Sequence, residues 1–378
     1  MQVRQKEEQY MTLTNYWWLL IWLFIGAIIA VIVPVTRSEY VLGKKEQRWG
    51  LIPAVLLACP YAVWAGVRHD WFGDTGVYRR MFQESPATIS QIPSYIAEHT
   101  KDRGFSVLTI VLKSILGNSV ILFFLIIAIF QIACIVYVFR KYSSNYWLSF
   151  FLFIVSTDYL SWMHNGVRQF IAVTIVFACF GLIVKRKYVP LICLVLLAST
   201  IHGSALLMIP IVFIVLGKAW NKRTIFFIAA TVVIMGFIDQ FTSLLDNLLA
   251  ETQYSDLITN EIWTTDDGTS ILRVLVYSAP AILSFIGKRY VDAADDPVIN
   301  ICVNCACVTM ALYFLASVSS GIYVGRLPIY TTLQGYIAVP WLIDHIFTEK
   351  SATLVKTAMI GAFLVFFYYQ MHVAWAVI

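Results

Sequence analysis

The chain has 378 residues and a formal net charge of +5; 60% of its residues are hydrophobic and only 13% are charged. An average soluble domain has about 25% charged residues, so the composition excludes a soluble enzyme, a disordered scaffold and a coiled coil. No dense basic tract is present, which argues against a nucleic-acid partner. The apolar residues form continuous runs of the length that crosses a bilayer as helix, not the alternating strands of a barrel. We therefore predict an all-α polytopic membrane protein.

The apolar runs predict about 11–13 transmembrane helices within a single integral membrane domain over residues 1–378. In chain order the runs are residues 16–35, 51–67, 120–139, 146–162, 167–184, 188–216, 224–241, 271–287, 298–318, 327–347 and 354–377. The run 188–216 is too long for one span, and Thr200, His202 and Gly203 interrupt its centre. We expect two short helices that meet there, because membrane proteins build polar sites at such breaks.

Basic clusters between the runs predict the orientation. Placing all of them in the cytoplasm satisfies the positive-inside rule and puts the amino terminus outside. Two long segments then lie on the outer face. One is a loop over residues 68–118 with an interfacial or re-entrant helix, and the other is an acidic loop over residues 241–270. The clusters consist of Lys44, Lys45, Arg48, Arg140, Lys141, Lys185, Arg186, Lys187, Lys218, Lys222, Arg223, Lys288, Arg289, Lys350 and Lys356.

The seven cysteines all lie in apolar runs, where a free thiol behaves as a small hydrophobic side chain. We expect no disulfide framework. Cys302, Cys305 and Cys307 are clustered, but a closed zinc site needs four ligands and neither a histidine nor a fourth cysteine stands nearby. We therefore predict no metal site and no cofactor.

Several arginines are predicted on the outer face, where lysine and arginine are normally scarce. An arginine at the end of a span either extends to the lipid headgroups or faces a polar cavity. Guanidinium groups favour phosphate, and several arginines arriving from separate helices on one face favour a phosphate site. The arginines are Arg68, Arg79, Arg80, Arg103, Arg168 and Arg326.

Four polar strings surround these arginines. The first, at 66–78, contains Gly-Val-Arg, Gly-Asp-Thr and a tyrosine; the second, at 165–169, is Asn-Gly-Val-Arg-Gln. The third, at 202–205, is His-Gly-Ser-Ala, and the fourth, at 325–330, is Gly-Arg-Leu followed by a tyrosine. In this order, on a chain of this length, the strings resemble those of the EpsG family, and the resemblance covers nearly the whole chain. The sequence departs from the family at His69, Asp70 and Trp71, which are inserted where the family often has an aromatic and a small residue before the Gly-Asp.

The resemblance implies a Wzy-type, GT-C-like membrane glycosyltransferase that polymerises repeat units of exopolysaccharide or O-antigen. It implies two polyprenyl-pyrophosphate-linked oligosaccharides, a donor and an acceptor, with undecaprenyl pyrophosphate as the lipid carrier. It further implies a multi-pass protein of the bacterial cytoplasmic membrane with its active face outside the cytoplasm, in contact with membrane lipid. A chain-length regulator and a flippase are further candidate partners.

The chemistry of such a reaction suggests roles for the polar residues. The departing phosphate oxygen gains negative charge, which Arg168 and Arg326, with Arg68 as a third, would stabilise without a metal. The attacking hydroxyl needs a base, for which His202 is the first candidate and Asp74 the second. His202 could instead satisfy backbone groups at the helix break. Substrate binding is assigned to Arg68, Tyr78, Asn165, Gln169, Ser204 and Tyr330.

Two alternatives stay open. A polysaccharide ligase of the same style would differ in its acceptor, and the sequence does not identify the acceptor. A lipid-linked oligosaccharide flippase or transporter would be expected to have internal symmetry and polar residues near the membrane midplane. The halves of the chain have no convincing repeat, and the polar strings crowd the outer ends of the spans, which favours catalysis on one face.

Overall fold

A computed structural model describes residues 2–68, 73–238, 240, 268–319, 321 and 324–375; for residues 2–15 it describes the backbone alone. Helices dominate this part of the chain, and short 3₁₀ helices lie at Ile89–Gln91, Gly203–Leu207 and Val324–Arg326. A π-helical turn, Gln370–Ala374, follows the last α-helix. The α-helices are α1 Gln2–Ile32, α2 Leu51–Gly66, α3 Thr75–Glu84, α4 Ile92–Glu98, α5 Arg103–Leu116, α6 Val120–Tyr142, α7 Tyr146–Val155, α8 Asp158–Asn165, α9 Val167–Ala178, α10 Phe180–Val184, α11 Tyr188–Ile201, α12 Met208–Val215, α13 Lys222–Gly236, α14 Ile271–Ile286, α15 Lys288–Ala294, α16 Pro297–Ser317, α17 Ile329–Ile346 and α18 Glu349–Tyr369.

Within the described residues, four helical segments are long and apolar enough to cross a membrane: Val120–Tyr142, Val167–Val184, Pro297–Ser317 and Glu349–Ala374. The pair α14 and α15, bent by 70°, would be a fifth, and shorter apolar helices of 10–17 residues accompany them. Large apolar side chains are exposed on the helix surfaces, as lipid-facing helices require. The prediction of an all-α, multi-pass membrane protein is confirmed. The predicted number of about 11–13 crossings stays a prediction.

Two of the breaks between apolar helices bear on the predicted spans. The first is the predicted one: α11 ends at Ile201, and a 3₁₀ helix precedes α12. The second corrects the sequence analysis, because the predicted single span 146–162 is two helices, α7 and α8. Thr157, between them, has φ 71° in the left-handed region. The amide of Asp158 donates to the Ser156 hydroxyl at 3.4 Å, and such competition from polar side chains favours a helix boundary.

A β-hairpin that the sequence analysis did not predict lies between α1 and α2. Strands β1 (Thr36–Val41) and β2 (Lys44–Trp49) pair antiparallel around a two-residue turn, in which Leu42 has φ 50° and Gly43 has φ 85°. Turns with two positive φ angles normally carry asparagine or glycine, so the leucine hides the signal. Arg140, near the end of α6, donates to a Glu39 carboxylate oxygen at 2.7 Å. Both partners belong to predicted cytoplasmic segments, so these two segments lie on one side of the membrane, and the orientation itself stays a prediction.

The chain divides into two compact units. Unit 1 comprises Met1–Ala178, Thr200–His202 and Ile346–Ile378; unit 2 comprises Cys179–Ser199 and Gly203–His345. In unit 1, α2 packs along α6 and α6 packs against α9; in unit 2, α16 packs against α13 and α14. The single membrane domain over residues 1–378 and the outer-face loops at 68–118 and 241–270 stay predictions. Most of the second loop lies outside the described residues.

A hydrophobic cluster in unit 1 packs α3 and α5 against α6, α9 and the end of α11. Its helices approach closely: a Cβ atom at Gly66 of α2 would lie 2.8 Å from the Cα atom of Leu125 in α6. A Cβ atom at Gly104 of α5 would likewise lie 2.8 Å from the carbonyl carbon of Thr200. The cluster consists of Tyr78, Phe82, Phe105, Phe123, Phe124, Ile127, Val167, Ile171 and Ile201.

The contact at Gly66 predicts a stability effect. Gly66→Ala should destabilise the protein by about 1–3 kcal/mol, because the added methyl group meets the backbone of α6 and the helices must separate. The matched control is Gly361→Ala in α18, where a Cβ atom would meet nothing within 4 Å. That variant should be neutral or slightly stabilising, since alanine favours helix. Thermal unfolding in detergent compares the two, and equal unfolding temperatures would contradict the prediction.

Candidate functional site

Arg168, in the first turn of α9, is the centre of a polar cluster in unit 1. Its Nη1 donates to the Asp102 carboxylate at 2.8 Å, and its Nε donates to the Tyr78 hydroxyl at 3.4 Å. Its guanidinium carbon lies 5.8 Å from the centre of the Tyr78 ring and 6.0 Å from that of Phe105. The side chain of Asp102 is 7% exposed and that of Arg168 is 27% exposed. Arg168 is therefore held on several sides and still accessible.

Asp74 joins this cluster. It precedes α3, where its carbonyl accepts from the Tyr78 amide at 3.1 Å, while its carboxylate does not cap the helix. The carboxylate interacts electrostatically with Arg168. Gly73, at φ +57°, packs against the end of α8, where a Cβ atom would lie 3.2 Å from that of Asn165. The first polar string therefore lies against the second.

Arg68 follows α2 and is 8% exposed. Its Nε donates to the carbonyl of Ala65 and its Nη1 to the carbonyl of Met163 in α8, and the guanidinium carbon lies 4.6 Å from the centre of the Phe124 ring. An arginine on helix-end carbonyls stabilises those ends. Its Nη2 is buried and has no hydrogen-bond partner among the described residues. This geometry favours positioning of α8 over direct contact with a ligand.

Among the described residues, aromatic side chains lie around Arg68. Burial lowers the pKa of Arg68 to about 9, although the phenols of Tyr159 and Tyr78 act in the opposite direction, so the side chain is cationic at neutral pH. His164 is 1% exposed, and its ring lies 5.2 Å from that of Trp64. Burial and the charge of Arg68 hold the pKa of His164 well below its usual range. His164 is therefore neutral and adds no second cation beside Arg68.

The remaining predicted residues of unit 1 differ in burial. Gln169 is buried, and Asn165 is half-buried at the end of α8. His202 directly follows α11 and is half-buried, and its neighbour Ile201 packs in the same hydrophobic cluster as Tyr78. His69 and Asp70 lie outside the described residues.

Unit 2 holds the other predicted residues. The hydroxyl groups of Ser204 and Tyr330 form a hydrogen bond of 3.0 Å, which joins the third polar string to the fourth. Tyr330 is buried in the first turn of α17, whereas Ser204 is half-buried. Arg326 ends the 3₁₀ helix before α17 and is half-buried. In unit 1 the first string contacts the second, and in unit 2 the third contacts the fourth. His202 of the third string belongs to unit 1.

Asp102 was missed by the sequence analysis. Nothing in its local sequence distinguishes it, and its contact with Arg168 joins residues 66 positions apart. The residue has φ 51° directly before α5, a left-handed conformation that aspartate tolerates better than most side chains. A charged residue at a strained, buried position beside a predicted catalytic arginine is a functional candidate.

A comparison with known protein families identifies the family of the chain. Residues 51–376 match the model of the EpsG family, and this range includes all four polar strings and Asp102. No curated protein and no solved structure matches the chain.

Proposed function

The chain belongs to the EpsG family, and we propose that it is a glycosyltransferase that joins lipid-linked oligosaccharides into a polysaccharide. Membership makes it a polysaccharide polymerase-type, multi-pass membrane protein with lipid-linked oligosaccharide substrates in general. We assign the reaction to the outer face of the bacterial cytoplasmic membrane, with polyprenyl pyrophosphate as the leaving group. The observation that carries the proposal is the joining of the first two polar strings around Arg168 in unit 1.

The chemistry of the substrate fits this protein. Its polyprenyl tail needs an apolar surface, its pyrophosphate needs cations near the membrane interface, and its sugars need aromatic and hydrogen-bonding side chains. Arginine suits the second requirement because its planar fork binds two phosphate oxygens at once. Tyr78 and Phe105, beside Arg168, supply aromatic rings on the same cluster.

In the proposed reaction a hydroxyl of the acceptor glycan attacks the anomeric carbon of the donor. A new carbon–oxygen bond forms, and the bond between that carbon and the pyrophosphate oxygen breaks, with its electron pair leaving on the phosphate. The hydroxyl proton passes to a base, for which His202 is our first choice and Asp74 the second. Arg168 and Arg326 stabilise the leaving group, and Arg68 positions α8. Asn165, Gln169, Ser204 and Tyr330 bind or orient the glycan.

The assay uses purified protein in nanodiscs with a short-chain polyprenyl-pyrophosphate oligosaccharide and a chelator. A ladder of products together with released polyprenyl pyrophosphate is expected. Transfer to a different acceptor without a ladder would indicate a ligase. Passage of the intact substrate across liposomes without any transfer would indicate a flippase, and either outcome would overturn the proposal.

The pair between Asp102 and Arg168 predicts a split between KM and kcat. Asp102→Asn removes a carboxylate that competes with pyrophosphate for Arg168, so KM for the donor should fall severalfold. The weaker hydrogen bond positions the guanidinium less well, so kcat should fall about tenfold. Steady-state kinetics on the purified variant measure both constants. Glu98→Gln, an exposed carboxylate of α4 in the same loop, is the control. Unchanged constants in Asp102→Asn would contradict the prediction.

A further inference from the structure

Arg273 lies in the first turn of α14, within a run that the sequence analysis treated as a plain apolar span. The residues before it pack against the segment that leads to Arg326. The Thr269 amide donates to the carbonyl of Ala316 at 2.9 Å, and a Cβ atom at Gly268 would lie 2.9 Å from the same carbonyl oxygen. The start of α14 is therefore fixed against the end of α16.

The same segment contacts the loop that carries Arg326. A Cβ atom at Gly321 would lie 2.9 Å from the backbone of Gly268, and one at Gly325 would lie 2.9 Å from the Thr269 hydroxyl. These positions leave no room for a side chain, so the two backbones meet directly. Arg326 follows Gly325, and Arg273 lies four residues beyond Thr269, in the first turn of α14. Both arginines therefore belong to segments of unit 2 whose backbones are in direct contact.

The side chain of Arg273 rests on an aromatic support. Its guanidinium carbon lies 5.9 Å from the centre of the Tyr277 ring, and that ring stacks on Tyr313 of α16 at 4.5 Å and 16°. Both tyrosines are buried, whereas Arg273 is half-buried. A fixed aromatic ring restricts the orientation of the guanidinium that lies over it, so less side-chain entropy is lost when the guanidinium binds a ligand. Its N–H groups lie in the guanidinium plane.

We propose that Arg273 is a further pyrophosphate-binding residue, the second in unit 2, which acts together with Arg326 on the lipid-linked donor; this inference rests on the proposed function. A pyrophosphate has two phosphate groups, and one guanidinium fork binds the oxygens of one of them. Two arginines on segments that contact each other can bind both groups, so that the negative charge of the leaving group is shared between them. The residue is absent from the four polar strings because an apolar helix surrounds it in the sequence.

The test measures binding, so that it does not depend on turnover. Wild type, Arg273→Ala, Arg326→Ala and the double variant are titrated in nanodiscs with polyprenyl pyrophosphate and with polyprenyl monophosphate. Arg273→Ala should bind the pyrophosphate about tenfold more weakly and should discriminate less between the two lipids. The control is Arg289→Ala in α15, an exposed arginine that also lies over a tyrosine, with its guanidinium carbon 4.5 Å from the centre of the Tyr290 ring.

A double-mutant cycle tests whether the two arginines share a ligand. Groups that bind one pyrophosphate are coupled, so the loss in the double variant should differ from the product of the single losses. Wild-type binding to the monophosphate and the pyrophosphate with equal affinity would count against the proposed function itself. Discrimination that is lost in Arg326→Ala but kept in Arg273→Ala would overturn this inference alone. Arg273→Lys, which retains the charge, controls for folding and should recover part of the affinity.

Discussion

Arg168→Ala is expected to lower the rate of polymerisation about 10²- to 10³-fold, the usual effect of removing one fixed donor from a developing negative charge. The arginine is pre-oriented by Asp102 at 2.8 Å and by the Tyr78 hydroxyl at 3.4 Å, so it needs little reorganisation when the leaving group departs. Arg168→Lys should retain a small part of the activity, since an ammonium group supplies charge without the planar fork. Initial rates of release of polyprenyl pyrophosphate measure the effect.

The matched control is Arg80→Ala, which removes an exposed arginine from α3 in the same predicted outer-face loop. It should keep nearly full activity. Arg168→Ala also leaves the Asp102 carboxylate, 7% exposed, without its guanidinium, which by itself can destabilise the fold. The double variant Arg168→Ala, Asp102→Asn removes that buried charge. It should remain inactive, and recovery of activity would show that Arg168 serves only to neutralise Asp102.

The membrane class and most helices could be predicted from the sequence because continuous apolar runs report directly on helices that cross a bilayer. The break after Ile201 was also predictable, since a histidine and a glycine interrupt an overlong run. The break at Thr157 was not predicted, because the run 146–162 is short enough for one helix, although Ser156, Thr157 and Asp158 stand together in it. The hairpin was missed because Leu42 occupies a turn position with positive φ, where a leucine gives no turn signal.

The candidate site was predictable to the extent that its residues stand beside one another in the chain. The strings containing Asp74 and Arg168 were recognised as strings, but their contact depends on how α3, α5 and α9 pack. The role of Asp102 depends on its contact with Arg168, which is distant in the sequence. Arg273 lies within an apolar helix, where the neighbouring residues give no sign of a polar site. A single sequence does not reveal such contacts, so Arg168 and Arg326 were identified, whereas Asp102 and Arg273 were not.

Two carboxylates lie near Arg168. The sequence analysis treated this arginine as a cation available for phosphate, whereas the structure pairs it with Asp102 and brings the carboxylate of Asp74 into its field. One arginine therefore lies beside two carboxylates before substrate binds. A pyrophosphate must therefore compete with these carboxylates for Arg168, and one of them, Asp74, is the second candidate base.

The choice of base is the second large expected effect. His202→Gly should lower the rate of polymerisation by about 10²- to 10⁴-fold, because the attacking hydroxyl then loses the group that takes its proton. Added imidazole should restore part of the rate in this variant. Such rescue would not occur if His202 only satisfied the backbone at the end of α11, since free imidazole cannot rebuild a helix boundary.

Asp74→Ala is the paired experiment. If His202 is the base, this variant should lose about tenfold through poorer positioning of Arg168, and added formate should not restore the rate. Strong loss in Asp74→Ala with recovery by formate, together with an active His202→Gly protein, would transfer the role to Asp74. Asp74 lies in the electrostatic field of Arg168 within unit 1, and His202 belongs to the same unit. Because Arg168 would hold the leaving group in either case, its own variant should remain impaired whichever residue takes the proton.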